Sequence, residues 1–246
     1  MSETVHRVVV VTGASRGVGL EWVRQLNKKA GTLIVAIVRD PNKASSLQPL
    51  LSSSVVAVQG DLSDIESFSA LTSRISKVTD GKVDVLINNA GIMTGAGADS
   101  NLGISKSTVG EWQEQFHVNV TNPVFLTTSL LPLLRNGREK KVVNIASFFG
   151  DTEWSLAHPE LQNASYSVTK AAITMATIKF HNELREEGFT FLALNPGWVT
   201  TDMGGSYAAL TPESSISQCL SFVNRSTTKD SGGYYSLDGR KEGVTN

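Results

Sequence analysis

A tyrosine and a lysine four positions apart are the residues of this sequence whose types and spacing best suit proton transfer. Tyr166 and Lys170 lie in a stretch without helix breakers, and a helix would place them one turn apart on the same face. A free phenol has a pKa of about 10, and an ammonium held nearby lowers that pKa by favouring the ionised form. Tyr166 could then act as a general acid or base near neutral pH. The alternative is a Tyr–Lys pair on a solvated helix face.

A glycine-rich run, GASRGVG at residues 13–19, is a second chemical candidate. Gly13 suits a tight turn, Gly17 removes a side chain where a pyrophosphate would approach, and Gly19 allows close helix packing. The helix that follows supplies amide groups and the positive end of its dipole. The spacing differs from the usual Gly-x-Gly-x-x-Gly, but the position directly after a short apolar run predicts a dinucleotide site.

The same run also matches Gly-x-Ser-x-Gly, the nucleophile elbow of α/β-hydrolases, with Ser15 as the nucleophile. An elbow needs an upstream loop for its oxyanion hole, and only twelve residues precede Gly13. His117, His158 and His181 lie in or beside helical stretches without a convincing acid–histidine order. The sequence therefore disfavours a hydrolase.

Short apolar runs that alternate with helical patterns must position these residues. Strands are predicted at residues 7–12, 32–38, 55–59, 83–87, 142–145, 191–194 and 233–236. Helices are predicted after the glycine run, after a capping box at residues 63–66, over residues 108–134 with a kink at Pro123, around Lys170, and from Thr211. This alternation predicts a doubly wound α/β fold of the Rossmann type, with an about seven-stranded parallel sheet covered by helices on both faces. We expect a single domain over residues 1–246.

Composition excludes several classes of protein. The net charge of −1, without long runs of one sign, gives no case for binding nucleic acid or an anionic membrane. The single cysteine, Cys219, cannot form an internal disulfide and is expected to be a half-buried, reduced thiol. No apolar run approaches a membrane span and no signal-peptide pattern is present. We expect a soluble cytoplasmic protein, and no metal site is predicted.

Polar residues follow several predicted strands, where a doubly wound sheet binds its ligands. They are Asp61, the Asn88-Asn89 pair, Ser147 and Asn195. Asn119 stands in the middle of a predicted helix, a position to which asparagine is poorly suited. Each has an ordinary alternative as a turn, a cap or a bond to a kinked backbone.

In order along the chain, these motifs resemble those of the short-chain dehydrogenase/reductases. They are Thr12-Gly13-x-x-x-Gly17-x-Gly19, Asp61-Leu62, Asn88-Asn89-Ala90-Gly91, Asn119, Ser147, Tyr166-x-x-x-Lys170 and Pro196-Gly197-x-Val199-x-Thr201. The resemblance covers residues 7–203, and the tail resembles the family only loosely, through Gly233 and Asp238-Gly239. The length and the Asp-Gly ending most resemble the small carbonyl-reductase branch, with its Sniffer-like, C-factor-like and fungal ketoreductase-like members.

The resemblance implies a catalytic role for four residues. Tyr166 would give the proton to a carbonyl oxygen, and Lys170 would lower the pKa of Tyr166 and bond the nicotinamide ribose. Ser147 would hold the carbonyl oxygen, and Asn119 would anchor a water that joins Lys170 to solvent. Eighteen residues separate Ser147 from Tyr166, more than in many members of the family. The resemblance therefore does not specify the shape of the substrate pocket.

The resemblance also implies a nicotinamide cofactor, with Asp61 and Leu62 around the adenine and Thr201 at the carboxamide. Arg16 and Arg39 could flank a 2′-phosphate, which favours NADPH, whereas Asp40 could instead be the ribose acid of an NAD site. The predicted cofactor-binding residues are Gly13, Ser15, Arg16, Gly17, Val18, Gly19, Arg39, Asp61, Leu62, Asn88, Ala90, Gly91, Tyr166, Lys170, Pro196, Gly197, Val199 and Thr201.

The predicted activity is NADPH-dependent reduction of a ketone or aldehyde. The alternatives are an NAD-dependent alcohol dehydrogenase with the same four catalytic residues and a catalytically silent, cofactor-sensing regulator. Segments 93–103, 148–162 and 198–210 are expected to frame the crevice and to favour an uncharged, bulky carbonyl substrate. Their apolar side chains are Met93, Phe148, Phe149, Trp154, Leu156, Trp198, Met203 and Tyr207. Monomer, homodimer and homotetramer all remain open.

Overall fold

The computed structural model describes residues 5–99 and 101–243, without the side chain of Ala96. All pairings within its seven-stranded sheet are parallel, in the order β3-β2-β1-β4-β5-β6-β7. The strands are β1 Arg7–Thr12, β2 Thr32–Val38, β3 Val55–Gln59, β4 Val85–Asn88, β5 Lys141–Ile145, β6 Thr190–Asn195 and β7 Gly233–Ser236. The strand order reverses between β1 and β4, which is where such sheets bind ligands. The predicted fold class is confirmed, whereas the single domain over residues 1–246 stays a prediction.

Helices cover both faces of the sheet. They are α1 Gly17–Leu26, α2 Phe68–Thr79, α3 Val109–Phe116, α4 Asn122–Arg135, α5 Thr152–Ala157, α6 Ala164–Leu184 and α7 Pro212–Arg225. On β1, Val9 and Val11 pack into a core with α1 and α7, whereas Val8 and Val10 pack into a second core with α2 and α4. Because both faces are buried, the strands are continuous apolar runs. No helix within the described ranges is both long and apolar enough to cross a membrane.

The long helix predicted over residues 108–134 is interrupted. A π-helical turn, His117–Thr121, separates α3 from α4, and Pro123 lies in the first turn of α4. Proline has no amide hydrogen, so the carbonyl of Asn119, four residues earlier, lacks its α-helical donor. The predicted disruption near Pro123 is confirmed, and it takes the form of a π-turn that carries Asn119.

The capping box predicted at residues 63–66 is wrong. A 3₁₀ turn, Ile65–Ser67, precedes α2, and its N-cap Asp64 makes no side-chain capping bond. The hydroxyl and the amide of Ser63 instead donate to the carboxylate of Asp61, at 2.7 and 2.9 Å. Asp61 therefore closes a turn on itself, a common role for aspartate after a strand.

Candidate active site

Tyr166 and Lys170 lie one turn apart on the buried face of α6, as predicted. The Nζ atom of Lys170 is 5.4 Å from the centre of the Tyr166 ring and donates to the carbonyl of Ile145, at 2.8 Å. Ser147 follows β5 and is within hydrogen-bonding reach of the Tyr166 phenol. The end of β5 and the first turns of α6 therefore bring these three side chains together.

Asn119, on the π-turn, and Gly91, which follows the neighbouring strand β4, complete the group. A Cβ atom on Gly91 would lie 3.2 Å from Oδ1 of Asn119 and 3.7 Å from Nζ of Lys170. The Asn119 amide donates to the carbonyl of Ile92 (2.8 Å) and to the hydroxyl of Thr169 (3.1 Å), and it accepts from the amide of Ile92 (2.8 Å). Both of its amide hydrogens are engaged, so the side chain holds the chain after β4 against α6. The predicted water would have to use the main-chain carbonyl freed by Pro123 or the remaining lone pair of Oδ1.

The predicted lowering of the Tyr166 pKa by Lys170 is not found. Burial raises the pKa of Tyr166 to about 12, while the hydrogen bond with Ser147 acts in the opposite direction. Burial also lowers the pKa of Lys170 to about 8. The loss of water governs both residues, because the ammonium lies over the ring and bonds a main-chain carbonyl instead of the phenol oxygen. Tyr166 is consequently protonated at neutral pH, the form that can give a proton.

The glycine-rich turn has the shape of a phosphate cradle. Gly13 and Gly17 have φ angles of 64° and 54°, values that side chains rarely adopt. A Cβ atom on Gly19 would lie 2.2 Å from the carbonyl oxygen of Gly13, so only glycine permits this approach. No side chain caps α1 at Arg16, which leaves the first amides of α1 without a side-chain partner. Ser15 and Val18 are half-buried in the same turn.

Thr12, to which the sequence alone assigned no individual role, fixes the end of β4 to the end of β1. The hydroxyl of Thr12 accepts from the amides of Asn89 and Ala90, both at 2.9 Å, and the Asn89 side chain donates back to the carbonyl of Thr12. The signal was present, because both residues belong to the motifs quoted above. Thr12 and Asn89 thus position the turn in which Ala90 and Gly91 lie.

Asn88, at the end of β4, has its side chain anchored within the sheet. Its side chain is buried and donates to Thr127 (3.0 Å) and Asn144 (2.8 Å), so it connects β4 with α4 and β5. The structure therefore directs the Asn88 amide nitrogen into the sheet. Leu62, Asn88 and Ala90 nevertheless line one small cavity at the strand ends.

The two candidates for recognising the adenosine ribose behave differently. Asp40 accepts from the amide of Asn42 (3.0 Å) and lies 3.6 Å from Nζ of Lys43, so a local turn uses its carboxylate. Arg39 is exposed directly after β2, and its side chain makes no hydrogen bond or close ion pair within the described residues. The pKa of Asp61 is lowered mainly by its hydrogen bonds with Ser63, and the charge of Arg39 adds to this lowering. Arg16 extends to Asp202, with 2.6 Å between Nη1 and Oδ2.

The segment after β6 returns to the glycine-rich turn. Pro196 and Val199 are buried, and Gly197 has a φ angle of 78°. A Cβ atom on Gly17 would lie 3.4 Å from Cγ2 of Thr201. The structure thus brings the predicted residues after β1 and β6 into one crevice.

The apolar side chains predicted to contact substrate divide into two groups. Phe148, Phe149 and Trp154 form a cluster with ring centres 4.6–5.2 Å apart, and the Phe149 ring is 6.0 Å from that of Tyr166. Leu156 and Tyr207 do not join it, because they are 83% and 90% exposed. Trp198 and Met203 are also exposed, Met93 is half-buried, and Ser100 of segment 93–103 lies outside the described residues.

Gly150 is a residue whose importance only the packing reveals. It ends the 3₁₀ turn Phe148–Gly150, and a Cβ atom there would lie 2.5 Å from the carbonyl carbon of Lys170. Glycine therefore allows the turn after Ser147 to pack directly against α6. An isolated glycine in a loop offers no sequence signal for such a contact.

A polar network fastens the loop after β4 to the start of α6. The Glu111 carboxylate accepts from the amide of Gly97 (3.0 Å) and the hydroxyl of Ser165 (2.6 Å). Gln115 donates to the same hydroxyl (2.6 Å) and to the carbonyl of Thr94 (3.1 Å). The sequence analysis missed this network because its members come from three separate segments.

The geometry also argues against the hydrolase alternative. His117 contacts the carbonyl of Ser63, His158 stacks on Trp154, and His181 contacts Ser231. Within the described ranges, therefore, none of these histidines pairs with Ser15. Cys219 is buried, more deeply than predicted, and burial raises the pKa of its thiol to about 12.

Comparison with known proteins decides the family. The model of the short chain dehydrogenase family matches residues 7–210. The chain belongs to the short-chain dehydrogenase family. This confirms the resemblance drawn from the motifs, and members of this family are oxidoreductases.

Relatives and solved structures agree with this assignment. The chain is 34% identical over 213 residues to a short-chain dehydrogenase/reductase of Arthrinium sp, covering 82% of this chain and 78% of the relative. It is 30% identical over 257 residues to an uncharacterized oxidoreductase of Schizosaccharomyces pombe, covering 96% of this chain and 97% of the relative.

Among solved structures, the NADPH-bound carbonyl reductase from chicken fatty liver has a TM-score of 0.89 and 30% identity, covering 97% of this chain and 99% of the other. The carbonyl reductase Sniffer of D. melanogaster has a TM-score of 0.87 and 26% identity, covering 96% of this chain and 98% of the other. These similarities support the carbonyl-reductase branch of the family, as predicted.

Proposed function

We propose that this short-chain dehydrogenase reduces ketones or aldehydes with NADPH. The observation that carries the proposal is the meeting of Ser147, Tyr166 and Lys170 at the strand ends, beside a glycine-rich turn that opens α1. A protonated phenol at neutral pH suits reduction, in which the product oxygen must gain a proton. The carbonyl reductases with similar structures support the same reaction.

Each residue of the site has a definite task in this proposal. Bound NADPH would supply a hydride to the carbonyl carbon. Ser147 and Tyr166 would hold the carbonyl oxygen, and Tyr166 would donate its proton as negative charge develops there. Lys170 would stabilise the resulting phenolate and reach the nicotinamide ribose. Asn119 and Gly91 would set the position of Lys170.

The preference for the phosphorylated cofactor rests on Arg39. Its guanidinium is exposed at the end of β2 and has no ion pair within the part of the chain that the structure describes. A 2′-phosphate suits a guanidinium, whereas an NAD site offers a carboxylate to the ribose hydroxyls. Asp40, the candidate carboxylate, is already used by its own turn.

The substrate class follows from the aromatic cluster beside Tyr166. Phe148, Phe149 and Trp154 form an uncharged wall next to the phenol that would protonate the substrate. Such a wall favours a bulky, uncharged carbonyl compound over a small oxo acid.

The test follows NADPH oxidation with a panel of ketones and aldehydes that includes small anionic oxo acids. We expect turnover with apolar carbonyl compounds and at least about tenfold lower kcat/KM with NADH. Arg39→Ala should remove most of that difference, whereas the matched variant Arg74→Ala should keep it. Faster turnover of alcohols with NAD would instead support the alcohol dehydrogenase, and cofactor binding without turnover would support the regulator.

A further inference from the structure

Arg16 and Asp202 form an ion pair between the glycine-rich turn and the segment after β6. The distance from Nη1 to Oδ2 is 2.6 Å, and the two side chains are 73% and 77% exposed. Neither makes another hydrogen bond or ion pair within the described ranges. Among the residues that the structure describes, the polar partner of the Arg16 guanidinium is thus a residue of the opposite wall of the predicted cofactor crevice.

The backbone of the segment holds Asp202 in place for this contact. The amide of Gly205 donates to the carbonyl of Thr201 (2.9 Å), and the amide of Gly204 donates to the Thr201 hydroxyl (3.1 Å). The indole of Trp198 donates to the carbonyl of Gly204, at 2.7 Å. The tip, residues 198–205, is therefore a closed turn that presents the carboxylate at its outer edge.

The sheet order places Asp202 and Arg39, the residue expected beside a 2′-phosphate, on opposite sides of Arg16. Asp202 follows β6, which lies beyond β4 and β5 from β1, whereas Arg39 follows β2, on the other side of β1. A 2′-phosphate beside Arg39 would therefore require Arg16 to turn away from Asp202. In this structure the guanidinium of Arg16 is oriented toward Asp202.

From this geometry we propose that Asp202 sets the affinity for the 2′-phosphate by competing with it for Arg16. The inference rests on the proposed NADPH preference. It also predicts that binding of the 2′-phosphate changes how residues 198–205 are attached. When the phosphate takes Arg16, the tip at residues 198–205 loses its link to the glycine-rich turn. NADH has no 2′-phosphate, so it would leave the ion pair in place.

The experiment measures dissociation constants of NADPH and NADH for the cofactor-free protein by nicotinamide fluorescence. The proteins are the wild type, Asp202→Asn, Arg16→Ala and the double variant, with Glu114→Gln as a control. Glu114 is an exposed acid of α3, so its variant repeats the charge change away from the crevice. Because Arg16 and Asp202 are both exposed, these variants should fold, and a thermal unfolding scan checks this.

We expect Asp202→Asn to tighten NADPH binding about two- to fivefold, the range of an exposed ion pair, and to leave NADH binding unchanged. Arg16→Ala should weaken NADPH binding, and adding Asp202→Asn to it should then have no further effect. Glu114→Gln should bind both cofactors as the wild type does.

Two results would overturn the role of Asp202 without contradicting the proposed NADPH preference. One is weaker binding of both cofactors to Asp202→Asn, which would show that the ion pair persists when a cofactor is bound and stabilises the complex. The other is a wild type that prefers NADPH while Asp202→Asn leaves that preference unchanged. Equal dissociation constants of the two cofactors in the wild type would overturn the NADPH preference, and this inference with it.

Discussion

Tyr166 and Lys170 share the buried face of α6, where each side chain loses water on folding. Burial disfavours a charged form, so it raises the pKa of an acid and lowers that of an ammonium. Both directions are found here: burial raises the pKa of Tyr166 to about 12 and lowers the pKa of Lys170 to about 8. At neutral pH the Tyr166 phenol is therefore uncharged, and the neighbouring Lys170 ammonium loses its proton more readily than a lysine in water.

Tyr166→Phe should lower kcat/KM for carbonyl reduction by about 10² to 10⁴-fold, the usual contribution of a positioned general acid. The dissociation constant of NADPH should change by no more than a few-fold, because the ring and Lys170 remain. As a control, Tyr235→Phe removes a phenol that donates to the carbonyl of Asp230. If Tyr166→Phe kept more than about a tenth of the activity, another group would be the proton donor.

The lowered pKa of Lys170 predicts a pH-dependent stability. Between its folded pKa of about 8 and its ordinary 10.5, the unfolded chain binds a proton that the folded chain does not. Unfolding then takes up a proton, so the contribution of Lys170 to the unfolding free energy rises with pH through this window. Below pH 8 the lysine is charged in both states and the folded protein bears the full cost of burial.

Urea unfolding of the wild type and Lys170→Met at several pH values tests this sign. The unfolding free energy of the variant minus that of the wild type should fall as the pH rises from 8 to 10, by at most about 3 kcal/mol. A difference that stays constant with pH would contradict the lowered pKa.

At the scale of elements, the π-turn between α3 and α4 connects the helix layer with the end of β4. It places the Asn119 amide against Ile92 and Thr169, within reach of Gly91 and Lys170. An uninterrupted helix would continue the hydrogen bond from residue 123 to residue 119, which Pro123 cannot make. Pro123 therefore explains why the helix is interrupted at the turn that carries Asn119.

Asn119→Ala should lower the unfolding free energy by about 2 to 4 kcal/mol, because it leaves polar groups of Ile92 and Thr169 without partners. It should also reduce turnover, since Lys170 loses a neighbour that positions it. Asn122→Ala is the matched control, because the buried Asn122 side chain has no hydrogen-bond partner within the described residues. Equal losses from the two variants, measured by urea unfolding, would show that the Asn119 bonds do not hold the site.

At the scale of the whole molecule, the site is assembled from segments that are far apart in the chain. The glycine-rich turn, the loops after β4 and β5, α6 and the segment after β6 meet because parallel strands bring their carboxyl ends to one edge. The aromatic cluster of Phe148, Phe149 and Trp154 occupies the long stretch between Ser147 and Tyr166. These rings therefore form an apolar wall beside the Tyr166 phenol.

Trp154→Ala should weaken the preference for bulky substrates, because it removes one ring of this wall. For the wild type we expect kcat/KM to rise with the apolar size of the ketone at fixed NADPH. In the variant, the largest ketones should lose about two- to tenfold in kcat/KM, the energetic range of aromatic contacts, while small ones are spared. Trp112→Ala, which removes a ring stacked on Phe116, should keep the size dependence. A wild-type kcat/KM that is flat with size would contradict an apolar pocket.

Local sequence patterns were enough to predict the fold class and the Tyr–Lys pair at the centre of the candidate site. Apolar runs of strand length predicted all seven strands to within two residues at each end, because a strand buried on both faces must be apolar throughout. The spacing of Tyr166 and Lys170 placed them on one helix face, because that spacing is close to one helical turn. These are local properties, so the sequence contains them directly.

How the predicted residues are held depends on packing between distant segments, which no local pattern specifies. Asn88 turns into the sheet, Asp40 closes its own turn, and Tyr207 remains in solvent, although each could have faced the crevice. The directions of the two pKa shifts were likewise decided by packing, since the burial of Tyr166 and Lys170 depends on every element around α6. The link between Arg16 and Asp202 spans 186 positions, and no local pattern specifies which partner a flexible guanidinium finds across a folded crevice.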